Sequence, residues 1–292
     1  MQTLESLSDA LETTGDIQAI VRTMKALSSV SIRQYEHAEA AMADYARTVE
    51  LGLMAVLRQR RLAGLPLPDG DGSKGRTAQI VIGSDRGLCG GYNDKITRFS
   101  RARMDNGPVE IGAIGARVAA RFETDGVPLA FAFTLPGSVE GLSRLVQSII
   151  VEIDRWTRTQ DVSRVWLVHN RREGRNTAQP RSHQLLPLPD SYLRKLSHAD
   201  WPGRSLPLFR MEPDRLMSWL VQRRLFVVIY RALAEALASE HAARLAAMRG
   251  AERNIEERRD DLQQLYRQRR QEMITRELLD VVSGFEAVRP AD

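Results

Sequence analysis

The last quarter of the chain, from Asp214 to Arg289, contains no proline and only two glycines, Gly250 and Gly284. Apolar and small residues recur along it in steps of three and four, which places them on one stripe of a helix and is typical of a coiled-coil seam. A helix from Asp214 to Phe285 would be about 105 Å long, so we expect most of it to project as a shaft. The stripe consists of Leu216, Leu220, Val227, Tyr230, Ala234, Leu237, His241, Leu245, Met248, Ala251, Ile255, Leu262 and Leu265.

The beginning of the chain is likewise poor in proline and glycine, and its apolar residues recur in steps of three and four. Residues 2–61 lack proline, and Gly15 and Gly52 are their only glycines. The spacing again predicts one long striped helix, and we expect the two terminal helices to pair as an antiparallel coiled coil. The predicted stripe consists of Leu4, Leu7, Leu11, Ile17, Ile20, Met24, Leu27 and Val30.

The middle of the chain alternates between short apolar runs and amphipathic stretches. This order predicts a doubly wound α/β body, Rossmann-like, with a mainly parallel sheet. The predicted strands are 78–83, 109–114, 127–134, 164–169 and 184–188, and the predicted helices are 93–103, 116–123 and 141–157. We therefore expect an N-terminal shaft helix over 1–62, the α/β body over 76–190, an extended return linker over 191–213 and a C-terminal shaft helix over 214–288.

Composition narrows the possible functions. Cys89 is the only cysteine, so an intrachain disulfide is impossible and a cytoplasmic setting is expected. The start of the chain has no pattern of a secretory signal, and no apolar run is long enough to span a membrane. The net charge is +5, but acids interleave with the arginines of residues 249–277, which disfavours nucleic-acid binding. The five histidines have no metal-ligand spacing, so we expect neither a metal nor a cofactor.

A glycine-rich turn, Ser84–Asn93, follows the first predicted strand. A turn between a strand and a helix can bind phosphate, because helix N-termini favour anions. The turn lacks both the P-loop spacing and the dinucleotide-binding spacing with its acidic partner. The alternative is a purely structural turn that needs positive φ at Gly87, Gly90 and Gly91. No histidine is placed to activate Cys89, so we expect a small buried side chain there.

Four strings carry a resemblance to a known family, three of them closely. The turn, SDRGLCGGYN, resembles a signature of the gamma subunit of F-type ATP synthases, the central rotor stalk. Residues 238–248, followed by Asn254, are similar to that family's A-S-E-x-A-A-R-M-x-A-M-x-x-A-x-x-N. Residues 270–284 are similar to its R-Q-x-x-I-T-x-E-L-x-E-I-V-x-G, and 20–25 agree more loosely with I-x-K-A-M-K. The resemblance covers nearly the whole chain, and differences such as Thr23 indicate a divergent member.

The resemblance implies a noncatalytic rotor. In that family the paired terminal helices thread a ring of three alpha and three beta subunits, and the body rests on the membrane c ring beside epsilon. Ion flow through the c ring is thereby coupled to ATP synthesis or hydrolysis at the alpha and beta sites. The resemblance also implies a peripheral position on the cytoplasmic face of the bacterial inner membrane, with no active site in this chain. It leaves the coupling ion open, proton or sodium.

The resemblance also implies roles for individual residues. It assigns contacts with the alpha/beta ring to Met24, Lys25, Arg270, Gln271, Thr275, Glu277, Val281, Val282 and Phe285. It places a body motif near the foot at Arg86, Gly87, Cys89, Gly90 and Gly91. Plainer alternatives exist for all three groups of shaft residues: Met24 as a seam residue, the polar residues as a solvated helix face, and the apolar tip as packing against the N-terminal helix.

Two other functions remain open on the sequence alone. The chain could be a coiled-coil scaffold, or a nucleotide-binding α/β protein that uses the Gly87–Gly91 turn. An enzyme would be expected to gather acid, base or nucleophilic residues at the carboxyl ends of its strands. The sequence shows no such group, and a scaffold has no need for the string over 270–284.

Overall fold

The computed structural model describes residues 3–67, 75–104, 109–174, 177–203, 207 and 209–288, including side chains except those of 177 and 284–288. Two compact units result, one of Met1–Leu27 with Leu245–Asp292 and one of Ser28–Arg244. Among the described helices, none combines the length and apolar character needed to cross a membrane.

In chain order the elements are α1 (Leu4–Ala41), α2 (Ala43–Leu62), β1 (Arg76–Ile82), α3 (Tyr92–Arg101), β2 (Val109–Ile114), α4 (Ala116–Thr124), β3 (Phe131–Phe133), a 3-10 turn (Val139–Gly141), α5 (Leu142–Thr159), β4 (Val162–Glu173), β5 (Thr177–Leu186), α6 (Asp190–His198) and α7 (Pro213–Val288).

The second unit is built around one five-stranded sheet in the order β3-β2-β1-β4-β5. The first four strands are parallel, and β5 runs antiparallel to β4. Both faces of the central strand are buried: Ile80 lies in a cluster with Trp156 of α5 and Leu233 of α7, and Val81 in a cluster with Phe122 of α4. Helices on both faces of a mostly parallel sheet define the doubly wound class. The predicted fold class, long terminal helices with a doubly wound α/β body, is confirmed.

The N-terminal region forms two helices, so the prediction of one continuous helix is wrong. The break lies at Met42, whose N–H donates to Glu39 O at 3.2 Å, while Ala46 N–H donates to Met42 O at 2.9 Å. The i to i+3 bond tightens the turn there. The Met42 side chain packs partly buried against two apolar clusters of the second unit. Because neither proline nor glycine marks the break, only this packing reveals it.

The end of the body also differs from the prediction. The last two strands, predicted over 164–169 and 184–188, span Val162–Glu173 and Thr177–Leu186 and form an antiparallel hairpin. Part of the predicted extended linker is helical, since α6 begins directly after Pro189. Leu193 and Leu196 of α6 are buried in a cluster with the apolar face of α2. Proline is tolerated at the start of a helix, so it bounds α6 without preventing it.

In the first unit the two ends of the chain pair in antiparallel fashion. Arg259 donates to Gln18 Oε1 at 2.9 Å, and one heptad further along α1, Lys25 pairs with Glu252. The predicted stripe on α7 is correct, since each of its residues is buried or half-buried. On α1 the predicted stripe is wrong at Ile17, Ile20, Leu27 and Val30, which are 46–63% exposed, while Met24 is half-buried as predicted.

The seam side of α1 is displaced by about one residue from the predicted stripe. Leu7, Gln18 and Val21 are at most 6% exposed. A seam is expected to be apolar, and for that reason the pattern favours Ile17 and Ile20 over their neighbours. Gln18 is buried because Arg259 hydrogen-bonds to it. Polar residues in a helical seam specify register at some cost in stability.

Alanine substitution at two adjacent positions tests this register. Val21→Ala should lower the free energy of unfolding by about 1–2 kcal/mol, because it removes buried methyl groups. Ile20→Ala should change it by less than about 0.5 kcal/mol, since that side chain is exposed. Urea unfolding of the full chain, followed by circular dichroism, measures both. A larger loss for Ile20→Ala would restore the originally predicted stripe.

Candidate functional site

The loop after β1 begins with a close approach between backbone and helix. A Cβ built on Gly83 would lie 2.4 Å from Val118 Cβ of α4, so only glycine fits there. The next residues close the loop through side chains. Ser84 N–H donates to Asn93 Oδ1 at 3.0 Å, and Asn93 Nδ2 donates to Ser84 Oγ at 2.8 Å. Ser84 Oγ in turn donates to Arg86 O at 2.9 Å. Asn93, on the first turn of α3, therefore holds that helix to the end of the central strand.

Asp85 connects this loop to two others. Its Oδ1 accepts from Ala116 N–H and its Oδ2 from Leu135 N–H, both at 2.8 Å. The first contact satisfies a free N–H group at the start of α4, where a carboxylate also favours the helix dipole. The second fixes the chain just after β3. One carboxylate thus ties together the loops that follow β1, β2 and β3.

The backbone φ angles of the turn differ from the predicted ones at two of the three glycines. Gly90 has φ of +59°, as predicted, but positive φ at Gly87 and Gly91 is wrong. Leu88 takes the second left-handed position, with φ of +61°. Its side chain is 59% exposed, so the turn is completed without burying it. A leucine in this conformation is unusual and could not be read from the spacing of glycines.

Cys89 sits inside the turn as a buried free thiol, which confirms the predicted small buried side chain. Its Sγ lies 3.7 Å from Ser84 Oγ and 3.8 Å from Asn93 Nδ2. Burial raises the pKa of the Cys89 thiol. A raised pKa keeps the sulfur protonated near neutral pH and so lowers its nucleophilicity. The surroundings suit a packing role.

Helix α7 covers the turn through a buried arginine. The Arg244 guanidinium donates to the carbonyl oxygens of Gly87 at 3.3 Å and Arg86 at 3.4 Å, and it pairs with Glu240 one helical turn earlier. The Arg244 and Glu240 side chains are only 7% and 6% exposed. Tyr92 OH adds a hydrogen bond of 2.8 Å to Ala236 O.

Burial dominates the electrostatics of this contact. It raises the pKa of the Glu240 carboxyl, against the opposing effect of the Arg244 charge. Burial, together with the nearby charges of Arg244 and Arg86, lowers the pKa of His241 to about 4. The neutral His241 ring stacks on Tyr35 with centroids 5.8 Å apart.

This arrangement occupies the place where doubly wound proteins usually bind ligands. That place is the crevice at the carboxyl ends of the strands where the strand order reverses, here between β1 and β4. Glu235 of α7 meets His169 of β4 there at 2.8 Å, and Arg244 covers the turn after β1. The turn points carbonyl oxygens at Arg244, beside the Glu240 carboxylate. Both groups repel phosphate, so the geometry disfavours nucleotide binding by the Gly87–Gly91 turn.

The predicted shaft contacts lie in the first unit. Met24 is half-buried, and Lys25 forms an ion pair with Glu252, which also lies 3.8 Å from Arg22. Lys25 is therefore engaged within the chain. Whether Met24 and Lys25 contact another subunit stays a prediction.

The remaining shaft residues lie on the last turns of α7. Arg270, Gln271, Thr275 and Glu277 are exposed, and Thr275 Oγ1 donates to Gln271 O at 2.9 Å. Two apolar residues are exposed as well, Val281 at 65% and Val282 at 52%. Packing of these two against the N-terminal helix is therefore wrong. The side chain of Phe285 lies outside the described part of the structure.

Four residues at the site were not singled out from sequence. Asp85 and Asn93 belong to the quoted turn, and Glu240 and Arg244 to the quoted string over 238–248. A signal existed for the last two, because an i, i+4 acid–base pair within an otherwise apolar stretch of helix indicates a buried ion pair. Arg86, by contrast, is exposed and contributes mainly its backbone carbonyl. Within the described residues, no group of three or more His, Cys, Asp or Glu side chains could hold a metal ion.

Comparison with known proteins gives consistent matches along the chain. A family model described as ATP synthase matches residues 3–288. The ATP synthase gamma chain of Stenotrophomonas maltophilia is 36% identical over 220 residues, covering 73% of this chain and 74% of that protein. The gamma chain of Xanthomonas campestris pv. campestris matches with the same identity and coverage.

Two solved structures share the fold. The rotor of the Euglena gracilis mitochondrial ATP synthase matches with a TM-score of 0.67 and 18% identity, covering 93% of this chain and 98% of that one. The central stalk and c-ring structure of the Tetrahymena thermophila mitochondrial enzyme includes a chain that matches with a TM-score of 0.57 and 18% identity, with coverages of 80% and 99%. At this identity the likeness concerns the fold.

Removal of the buried arginine tests the contact between α7 and the turn. Arg244→Met should lower the free energy of unfolding by about 3–5 kcal/mol, because it leaves Glu240 buried without its partner. The double variant Arg244→Met with Glu240→Gln should lose less stability than Arg244→Met alone, since a neutral amide costs less to bury than an unpaired carboxylate. Arg249→Met, at an exposed position of α7, is the control and should have little effect. Equal losses for Arg244→Met and Arg249→Met in chemical unfolding would refute the buried ion pair.

His241 predicts a defined pH dependence. Its pKa is lowered in the folded state, so the unfolded chain binds the proton more strongly and stability falls as pH drops from 6.5 toward 4. A fall of the pKa from 6.5 to about 4 corresponds to roughly 3 kcal/mol at most. His241→Gln should reduce the stability difference between pH 6.5 and pH 4.5, whereas His37→Gln, at an exposed position, should not. Unfolding curves at the two pH values provide the measurement, and an unchanged difference in His241→Gln would contradict the assignment.

Proposed function

Because the chain belongs to the ATP synthase gamma-chain family, we propose that it acts as the noncatalytic central-stalk rotor subunit of an F-type ATP synthase. In this role it couples ion flow through a membrane c ring to ATP synthesis or hydrolysis by other subunits. The match over residues 3–288 supports the assignment to the whole chain, including both terminal helices and the α/β body.

The proposed partners are three alpha and three beta subunits, the epsilon subunit and the c ring. The solved neighbours are described as a rotor and as a central stalk with its c ring, which agrees with such an assembly. The proposed location is peripheral, on the cytoplasmic face of a bacterial inner membrane. The bacterial origin of the gamma-chain relatives supports this location.

One observation carries the proposal: the paired helices of the first unit expose large apolar side chains on surfaces away from their seam. On α1 these are Ile17, Ile20 and Leu27, each 46–63% exposed. Near the end of α7, Leu278 and Leu279 are 61% and 60% exposed. An exposed apolar surface of this kind usually marks an interaction site. A ring of alpha and beta subunits around the helices would cover it.

The individual contacts are proposed on exposure and chemistry. Arg270 and Glu277 offer charged groups, and Gln271 and Thr275 neutral ones, on the exposed part of α7. A guanidinium grips carboxylates through paired hydrogen bonds, so Arg270 suits a contact with an acidic loop of a beta subunit. Val281, Val282 and Phe285 are proposed to turn within an apolar collar, where no directional bond has to break.

The body is proposed to have no catalytic function. The contact of Arg244 with the carbonyl oxygens of Arg86 and Gly87 supports this, because it fills the usual ligand crevice with protein. The same contact counts against the nucleotide-binding alternative. A plain coiled-coil scaffold is less well supported, since it would not need a five-stranded sheet whose loops are tied to α7.

Purification of the assembled complex tests the function. The tagged chain, extracted from membranes, should co-purify with alpha, beta and epsilon subunits and with ATP turnover. The chain purified alone should neither hydrolyse ATP nor bind it tightly. Tight binding or hydrolysis by the isolated chain would overturn the rotor assignment in favour of a nucleotide-binding protein.

Substitution of two exposed residues tests the proposed contact with the ring. Arg270→Ala with Gln271→Ala should lower ATP turnover of the reconstituted complex roughly tenfold, because a charge-assisted hydrogen bond is worth about 1.5–3 kcal/mol and 1.4 kcal/mol is tenfold in rate. The fold of the isolated chain should be unchanged. Arg144→Ala with Gln147→Ala, an exposed pair on α5, is the matched control. Equal turnover in both double variants would remove Arg270 and Gln271 from the contact surface.

A further inference from the structure

The second unit contains a cleft of about 780 Å³ that plays no part in the proposed function. Four parts of the unit line it: the β4–β5 hairpin, α2, α6 and the stretch of α7 from Arg224 to Glu235. Clefts of this volume are typical of sites for small molecules. Its lining residues carry more positive than negative charge.

Six ionised side chains line the cleft besides its two histidines. The positive ones are Arg171, Lys195, Arg224 and Arg231, and the negative ones are Glu50 and Glu235, so four charges against two leave an excess of two positive charges.

Three of the six charges are already paired. Glu235 is held by His169 at 2.8 Å and lies 3.8 Å from Arg171. Arg231 pairs at 2.7 Å with Glu39, which does not line the cleft. Among the described residues, Arg224 and Lys195 have no ion-pair partner within 4.0 Å. With Glu39 included, four positive charges face three negative ones, and the lining groups outside an ion pair among the described residues are Arg224, Lys195 and Glu50.

Three buried nitrogen atoms on lining residues also lack a hydrogen-bond partner among the described residues. They are Arg224 Nη1, Arg231 Nε and His169 Nδ1. His169 is completely buried. Because these three nitrogens have almost no accessible surface, they do not face the cleft and are not counted as contacts for a ligand bound there.

Arg224 is also held in position. Its guanidinium lies over the ring of Tyr192, 4.4 Å from the centroid, and Tyr192 OH donates to Glu50 Oε1 at 3.3 Å. A stacked guanidinium loses less freedom when a ligand binds, because its orientation is already set. The cleft thus presents a preorganised arginine together with a lysine.

We propose that this cleft binds a small phosphate-type oxyanion, either inorganic phosphate or the phosphate group of a small ester. Arg224 and Lys195, the two lining cations without an ion-pair partner among the described residues, would hold its oxygens. Arginine and lysine are the side chains that most often hold phosphate in proteins. A lining drawn from four elements favours a small molecule over a macromolecular surface.

The test uses the purified full chain and isothermal titration calorimetry with inorganic phosphate, glycerol 3-phosphate and sulfate. Saturable binding of phosphate or glycerol 3-phosphate is expected, with a rise in the unfolding temperature that follows occupancy. Saturation by phosphate identifies the free ion, and saturation by glycerol 3-phosphate alone identifies an ester. Binding of neither would overturn the proposal.

Variants locate the site. Arg224→Gln should weaken binding at least tenfold. Arg223→Gln, at the exposed neighbouring position where the guanidinium lies over Trp219, should leave it unchanged. Lys195→Gln, on α6, should also weaken binding and provides a second variant if Arg224→Gln does not fold. Equal affinities of Arg224→Gln and Arg223→Gln, or sulfate binding that matches phosphate binding and is insensitive to Arg224→Gln and Lys195→Gln, would refute a built phosphate site.

Discussion

The buried ion pair between Arg244 and Glu240 organises the α/β unit. Through it α7 binds the carbonyl oxygens of the turn that follows the central strand. Asp85 ties that same turn to the loops after β2 and β3, so one hydrogen-bonded network joins α7 to three parallel strands. A buried pair of this kind gains little net stability but is costly to break. It therefore suits a contact that must keep a long helix attached to a body under torque.

The paired termini follow a different principle. Their seam includes Gln18, which is held by Arg259, while Ile20 and Leu27 lie on the solvent side. A free coiled coil would place the isoleucine and leucine inside, since apolar burial drives such pairing. Apolar groups on the outer surface are consistent with a helix pair that is itself enclosed by other subunits. The isolated helix pair is therefore less stable than a pair that buries these apolar side chains would be.

Sequence patterns predicted the central strands β1 and β2 and the stripe on α7 well. Both depend on local periodicity, and in a buried parallel strand or a long helix periodicity reflects burial directly. Patterns failed at the Met42 break, at α6 and on the outer half of the α1 stripe. In each case a contact distant in sequence decided the outcome: Met42 packs against two clusters, Leu193 of α6 against α2, and Gln18 hydrogen-bonds to Arg259.

The sequence alone determined the family, the alternation of strands and helices, and the long terminal helices, because motifs and local periodicity carry that information. Only the tertiary structure decided which side of α1 faces its partner helix, that Arg244 occupies the ligand crevice, and that Arg224 and Lys195 share one cleft. These features depend on contacts between residues that are far apart in the chain. In the low dielectric of the protein interior, the free energy of a charge or a hydrogen-bonding group depends on the partner it contacts. The spacing of residue types along the chain does not predict such distant partners.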